Sequence, residues 1–135
     1  MSTSVLEMLD SNVLIYAFST DPRADIADRL LRTGCVISVQ ALNEFTNVAR
    51  RKMGMTWDEI REAVSAIQAL CRPAIPLEIE AHPKAIAIAE RYQLSFFDAL
   101  MIAVGLMADC GVLWSEDVQD GLLIEGKLQI RNPFR

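Results

Sequence analysis

The sequence VLEMLDSNVLIYAF, residues 5–18, is an apolar run interrupted by an acid. Val5 to Leu9 have the length and apolar character of a short buried strand. Asp10 follows where this strand would leave the core, and the apolar run returns at Val13, which we expect to anchor a turn. An acid at such a point suits a turn or a helix N-cap. It also suits a functional site, because a strand end holds a carboxylate in a fixed place.

The rest of the chain alternates short apolar segments with longer segments of helical periodicity. Strands are predicted at 5–9, 35–38, 111–114 and 127–134, the last at the sheet edge, with a short extended segment at 73–77. Helices are predicted at about 22–33, 38–52, 56–70, 83–92 and 95–109, two of them opened by the capping boxes TWDE (56–59) and SFFD (95–98). This alternation predicts a parallel sheet covered on both faces, with its ligand site at the carboxyl ends of the strands.

Composition indicates a single domain over residues 1–135. The chain is 52% apolar, which suffices for a proper core. It has no long uncharged stretch and no signal-peptide pattern, so we expect no membrane association. The three cysteines, Cys35, Cys71 and Cys110, are widely spaced in apolar surroundings, which is typical of buried thiols in a reduced cytoplasm. Residues 1–4 are expected to be frayed.

Three further acids occupy unusual places. Glu44 lies at the margin of the apolar stripe of the second helix, where solvation alone would explain it. Asp98 closes a capping box, but the following helix, residues 99–108, is apolar on every side, so we expect it to carry Asp98 toward the interior. Asp117 follows a predicted strand, where a turn is the alternative explanation. Each acid taken singly therefore has a purely structural interpretation.

Taken together, the four acids predict a metal site. Asp10, Asp98 and Asp117 fall on one predicted edge of the sheet, and Glu44 lies on the helix that leaves its second strand. No Lys except Lys52 is near any of them in sequence, and carboxylates gathered without ammonium partners would repel one another and raise each other's pKa. A hard divalent cation relieves that repulsion. Mg²⁺ or Mn²⁺ suits an oxygen-only set better than zinc, because no His or Cys is placed to help.

The net charge of −5 argues at first against a nucleic-acid partner. Setting aside these four of the 18 acidic residues leaves 14, against 13 basic residues. The remainder of the molecule is then nearly neutral. The total charge therefore does not exclude a phosphate-bearing substrate.

The chain resembles the PIN-domain ribonucleases, and among them the VapC-like toxins of bacterial toxin–antitoxin modules. The resemblance covers nearly the whole chain, in the family's order. Its matching segments are LDSNVLIYAF, ISVQALNEFTNVARRK, LSFFDALMIA, LWSEDVQDG and IRNPF. The family pattern often has Thr after the first acid, and Ser11 keeps that hydroxyl.

The resemblance implies an α/β fold, specifically a three-layer α/β/α PIN-like domain with a short, mostly parallel central sheet. It implies an Mg²⁺- or Mn²⁺-dependent endoribonuclease. The family's acidic set maps onto Asp10, Glu44, Asp98 and Asp117, with Asn12 and Ser115 orienting these ligands. The expected partners are an RNA substrate, a second copy in a homodimer, and an antitoxin whose tail enters the acidic cleft, often with an Arg. Whether Glu116 or Asp120 also contributes is open.

Two alternatives are a phosphoacceptor receiver domain and a non-catalytic Mg²⁺-binding interaction module. A receiver needs paired acids after the first strand and a Lys near the end of a late strand. Here Ser11 follows Asp10, and Lys127 comes in the wrong place. A non-catalytic module would be favoured by an incomplete acidic set, whereas this set is complete.

The remaining residues of interest carry weaker indications. His82, the single histidine, precedes a proline at a helix start, so a structural or solvent-exposed role is expected. Four aromatic residues could stack on bases, with core or interface packing as the alternative: Trp57, Phe96, Phe97 and Trp114.

Overall fold

The computed structural model describes residues 5–135, so the expectation for residues 1–4 lies outside it. Its strands are β1 (Glu7–Leu9), β2 (Val36–Ser38), β3 (Ala74–Ile75), β4 (Val112–Trp114), β5 (Leu123–Ile124) and β6 (Leu128–Arg131). Its helices are α1 (Ser11–Ala17), α2 (Ala24–Leu31), α3 (Val39–Arg51), α4 (Trp57–Leu70), α5 (Ala81–Tyr92) and α6 (Phe96–Met107).

The strands form one sheet in the order β3-β2-β1-β4-β6-β5. All neighbouring pairs are parallel except β5 and β6. Strand β1 is central, with Met8 opposite Val36 of β2 and Leu113 of β4. The carboxyl ends of β1, β2 and β4 therefore share one edge of the sheet.

The helices pack in two groups on the two faces of this sheet. Helix α1 packs against α2 and α3, and α3 packs against α4, whereas α5 and α6 pack against each other. The three-layer α/β/α class with a mostly parallel sheet is thereby confirmed.

Strand β6 was expected at the sheet edge, and that expectation is wrong. It lies between β4 and the antiparallel β5, which forms the edge instead. Strand β5 has only two residues, Leu123 and Ile124, which is too short for a recognisable alternating pattern.

The residues after Asp10 form a helix, whereas the sequence predicted a turn or an N-cap at Asp10 and no helical segment after it. In α1 the side chain of Asp10 caps the helix, and Val13 and Leu14 are fully buried. An apolar run from residue 13 to 18 has no polar face, so its pattern does not distinguish a short helix from other buried structure.

Helix α6 is buried from Ala99 to Gly105, as its composition predicted, whereas Met107 near its end is 41% exposed. Gly105 lies against the sheet: a Cβ there would come 2.9 Å from Cδ1 of Leu128 and 3.1 Å from Cε of Met8. Glycine therefore lets α6 approach β1 and β6 closely. This approach places the first turn of α6 over the carboxyl edge.

Two further expectations can be compared with residues 5–135. Cys35, Cys71 and Cys110 are buried free thiols, as predicted. No helix in this range has both the length and the apolar character needed to cross a bilayer.

We predict that Gly105→Val lowers the free energy of unfolding by about 1–3 kcal/mol, because the added methyl groups overpack the contact between α6 and the sheet. Urea denaturation would measure this change. The control is Ala66→Val, on the exposed face of α4, which should cost only about 0.6 kcal/mol of helix propensity. Equal losses in the two variants would contradict the close packing at Gly105.

Candidate active site

Asp10 lies at the carboxyl end of the central strand with only 4% of its surface exposed. Its backbone N–H donates to the carbonyl of Trp114 at 3.0 Å, which ties the end of β1 to β4. Its Oδ1 accepts from the backbone N–H of Ser11 at 2.7 Å. Its Oδ2 accepts from the hydroxyl of Ser115 at 2.7 Å and lies 3.4 Å from the amide of Asn12. The carboxylate is thus fixed by donors on both oxygens.

Asn12 and Ser115 connect Asp10 to Asp117. The side-chain amide of Asn12 donates to Oδ2 of Asp117 at 3.1 Å. The hydroxyl of Ser115, fully buried, accepts from the backbone N–H of Asp117 at 3.2 Å. A hydroxyl has a single proton, and the short contact to Asp10 uses it. The pair therefore holds two carboxylates, one buried and one exposed, in a fixed relation.

Glu44, half-buried on α3, joins the same network through residues that sequence reasoning did not assign to it. The hydroxyl of Ser11 donates to its Oε1 at 2.8 Å, and the amide of Gln40 donates to its Oε2 at 3.1 Å. Gln40 lies one helical turn before Glu44, so the (i, i+4) spacing was an available signal. The role of Ser11 depends on α1, which was not predicted as a helix.

Asp98 is less engaged than the other three acids. It is half-buried, so the expectation that α6 carries it into the interior is wrong; the buried run begins one residue later. In the described structure its carboxylate makes no hydrogen bond, although its backbone N–H donates to the hydroxyl of Ser95 at 3.3 Å, so the capping box predicted at 95–98 is only half formed. Three residues on, the Sδ of Met101 accepts a hydrogen bond from the hydroxyl of Ser38 at 3.2 Å. This part of α6 therefore lies by the carboxyl end of β2.

The pKa of Asp10 is raised from 3.8 to about 6. Burial is the main cause, because it removes water from the charged form. Hydrogen bonds from Ser115 and Ser11 act in the opposite direction, and the charges of Glu44 and Asp117 raise the pKa further. The site thus concentrates negative charge that its own donors do not fully compensate.

No Lys or Arg within residues 5–135 forms an ion pair with any of these four acids. In the same range, no three Asp, Glu, His or Cys side chains are already arranged around a common metal position. Mg²⁺ commonly binds through one or two carboxylates and keeps several waters, so a complete protein cage is not required. The candidate ligand atoms are carboxylate oxygens without a cationic partner, and such a set fits a hard divalent cation.

Two neighbouring acids, left open by the sequence, have other partners. The hydroxyl of Tyr16 donates to Oε2 of Glu116 at 2.6 Å, and Arg23 lies 3.7 Å from its other oxygen. Oδ1 of Asp120 accepts from the backbone N–H of Asn132 at 2.8 Å. These contacts stabilise the turn after β4 and give each carboxylate a partner outside the four-acid set.

Comparison with known families gives a match over most of the chain. The family model described as the PIN domain matches residues 8–119. The matched range includes all four acids and both side chains that connect Asp10 to Asp117. No curated protein matches the chain.

Several solved structures share the fold at low sequence identity. A chain of a toxin–antitoxin complex from Klebsiella pneumoniae is 19% identical, with a TM-score of 0.71 over 94% of this chain and 97% of that one. VapC20 of Mycobacterium tuberculosis, described as a sarcin–ricin loop cleaving toxin, is 20% identical, with a TM-score of 0.64 over 82% and 89%. VapBC2 of Rickettsia felis, bound to a fragment of its promoter DNA, is 16% identical, with a TM-score of 0.67 over 94% and 98%.

The raised pKa of Asp10 predicts a pH-dependent stability. Between the unfolded pKa of 3.8 and the folded value of about 6, the native state binds more protons than the unfolded chain. The free energy of unfolding therefore falls as pH rises through this window. In chelator, the stability of Asp10→Asn relative to the native sequence should increase by about 2 kcal/mol from pH 4.5 to pH 7.5.

Urea denaturation at the two pH values would measure this difference. Glu62→Gln, on the exposed face of α4, is the matched control, and its stability relative to the native sequence should not change with pH. A difference for Asp10→Asn that stays constant with pH would contradict the buried, desolvated state of Asp10.

Proposed function

The chain belongs to the PIN domain family, and we propose that it is a metal-dependent endoribonuclease that hydrolyses RNA phosphodiester bonds. The observation that carries the proposal is the network around Asp10. This buried carboxylate is connected through hydrogen bonds to Glu44 and Asp117, and none of the three has a cationic partner among residues 5–135. The description of VapC20 as a toxin that cleaves the sarcin–ricin loop supports an RNA substrate.

We assign the ion, Mg²⁺ or Mn²⁺, to Asp10, Glu44, Asp98 and Asp117, with Asp10 and Asp98 as the main ligands. When bound, such an ion screens the charge of a phosphodiester and lowers the pKa of an attacking water. Asn12 and Ser115 would keep the oxygens of Asp10 and Asp117 oriented, as hydrogen-bonded partners of metal ligands do.

Asp98 is half-buried at the start of α6, which leaves part of this acid accessible to an ion. Its carboxylate makes no hydrogen bond in the described structure, so no interaction has to be broken before it binds an ion. With water as the nucleophile in place of the ribose 2′-hydroxyl, the products would be a 5′-phosphate and a 3′-hydroxyl.

The biological setting we propose is that of a toxin in a toxin–antitoxin pair acting in the cytoplasm. Two of the similar solved structures are a toxin–antitoxin complex and a VapBC assembly. A cognate antitoxin would neutralise the acidic cleft, for example by inserting an Arg beside the carboxylates that lack a cation. A homodimer is part of the same proposal.

The receiver-like alternative has no support from the placement of Lys127. This residue precedes β6 and lines a surface groove with Asp109 and Gly111, which precede β4. It therefore lies at the amino ends of these strands, whereas the acids lie at the carboxyl edge. A non-catalytic module remains the alternative that an activity measurement decides.

We predict that the protein cleaves end-labelled RNA with Mg²⁺ or Mn²⁺ and not with chelator. Asp10→Asn should lower the rate by more than about 100-fold, because loss of a metal ligand exceeds the 10–100-fold effect of losing a ligand's hydrogen-bond partner. The exposed variant Glu62→Gln should cleave normally. Cleavage by Asp10→Asn at the native rate, or no cleavage under any condition, would contradict the proposal.

We also predict that Mg²⁺ or Mn²⁺ raises the melting temperature. At a metal concentration 100 times Kd, binding to the native state contributes about 2.7 kcal/mol. Calorimetry should show a smaller shift for Asp98→Asn than for the native sequence. Equal shifts in the two proteins would exclude Asp98 as a ligand, without bearing on the other three acids.

A further inference from the structure

A groove beside the acids contains side chains that the proposed chemistry does not use. Its volume is about 370 Å³, and it is lined by Gln40, Asn43, Glu44 and Asn47 from α3 and by Phe97 from α6. Glu44 belongs to both the acidic network and this groove. A ligand at the acids would therefore extend into it.

The wall formed by α3 presents unused hydrogen-bonding groups. Asn43 and Asn47 are exposed, lie one helical turn apart, and make no side-chain hydrogen bond within residues 5–135. Gln40 and Glu44, by contrast, are bonded to each other. Two free amides offer both donors and acceptors, which is the chemistry that reads the edge of a base.

The opposite wall is an exposed aromatic ring in a supported position. Phe97 has 62% of its surface exposed. Its ring meets Phe96 edge-on, with centroids 5.7 Å apart, and Phe96 packs on His82 at 5.0 Å. A ring that is held by its neighbours and open to solvent is suited to stacking on a base.

A cation lies farther along the same side of α3. Arg51 is one turn beyond Asn47, is exposed, and forms no ion pair in the part of the chain that the structure describes. Glu44 lines the groove, and Arg51, two turns on, lies at the basic end of α3 beyond the lining residues. A phosphate would bind at the basic end, away from the carboxylates.

We propose that this groove binds one unpaired nucleotide of an RNA next to the cleaved phosphate. The base stacks on Phe97, its edge meets Asn43 and Asn47, and a neighbouring phosphate contacts Arg51. This inference rests on the proposed endoribonuclease function and adds to it a base-binding subsite formed by side chains of α3 and α6. Stacking accepts any base, so the amides are the specificity-determining groups.

The first test measures binding of labelled 12-nucleotide single-stranded RNAs (oligo-A, oligo-U and oligo-C) by fluorescence anisotropy, in the Asp10→Asn background. Phe97→Ala should raise Kd about 5- to 100-fold, and Phe97→Trp should retain affinity, because it keeps a stacking surface. Leu123→Ala, which removes exposed apolar area at the opposite sheet edge, is the matched control and should bind normally. Asn43→Ala should change the ranking of the three RNAs.

The second test separates stacking from charge. Arg51→Ala should reduce the slope of log Kd against log salt concentration by about 0.7, the value for one phosphate contact on a single strand. Phe97→Ala should leave that slope unchanged. Arg29→Ala, an exposed arginine on α2, controls for the loss of one positive charge and should leave both affinity and slope unchanged.

The outcomes distinguish this inference from the proposed function. Suppose that the native protein cleaves RNA, but that Phe97→Ala leaves the Kd for RNA unchanged in the Asp10→Asn background. The groove assignment then fails and the proposed endoribonuclease function stands. If Phe97→Ala converts a dimer to a monomer by sedimentation velocity without weakening RNA binding, the ring belongs to a protein interface and the inference is overturned. If the native protein neither cleaves nor binds RNA, both proposals fail.

Discussion

Burial of the Asp10 carboxylate is the constraint on which the rest of the site depends. A carboxylate with 4% exposure loses most of its hydration, and the donors on its two oxygens only partly replace it. The residue stays there because β1 is paired on both sides and its end is tied to Trp114. The fold thus supplies the rigidity that holds an unfavourable charge in place, and a bound cation would relieve that charge.

The donors around this carboxylate also determine how the other acids are arranged. Asn12 and Ser115 each contact both Asp10 and Asp117. Ser11 contacts both Asp10 and Glu44. Because few protons serve many oxygens, each acid has lone pairs that no protein group satisfies. Such an arrangement orients the carboxylates in advance and leaves acceptor capacity for an ion, which is what a preorganised metal site requires.

Sequence patterns predicted the parts of this molecule that depend on strong local signals. The apolar helix α6 and the capping box of α4 formed as predicted, because a residue's own neighbours in sequence largely determine them. The helix after Asp10 and the edge strand β5 were missed, since such short elements carry no periodicity and take their form from tertiary packing. For the site, the sequence pattern located Asp10 and Asp117 after strand ends and Asp98 at a helix start, but the link from Ser11 to Glu44 required the fold. Asp98 was expected to be more deeply buried, because the burial predicted for residues 99–108 was assumed to include the first turn of α6. That turn is partly exposed.

The position of the acids follows from how the chain crosses the sheet. Helices α1 to α4 join strands on one side of β1, whereas α5 and α6 lead from β3 at one edge back to β4 across the other face. Asp10, Glu44 and Asp117 come from strand ends and the first helical layer, and Asp98 and Phe97 come from the second. The groove between α3 and α6 therefore lies where the two layers meet above the carboxyl edge. A ligand that enters it contacts both layers at once, so small changes in how α6 packs on the sheet at Gly105 would alter the distance between Asp98 and the other acids. The close packing at Gly105, outside the acidic site, therefore helps to determine the geometry of that site.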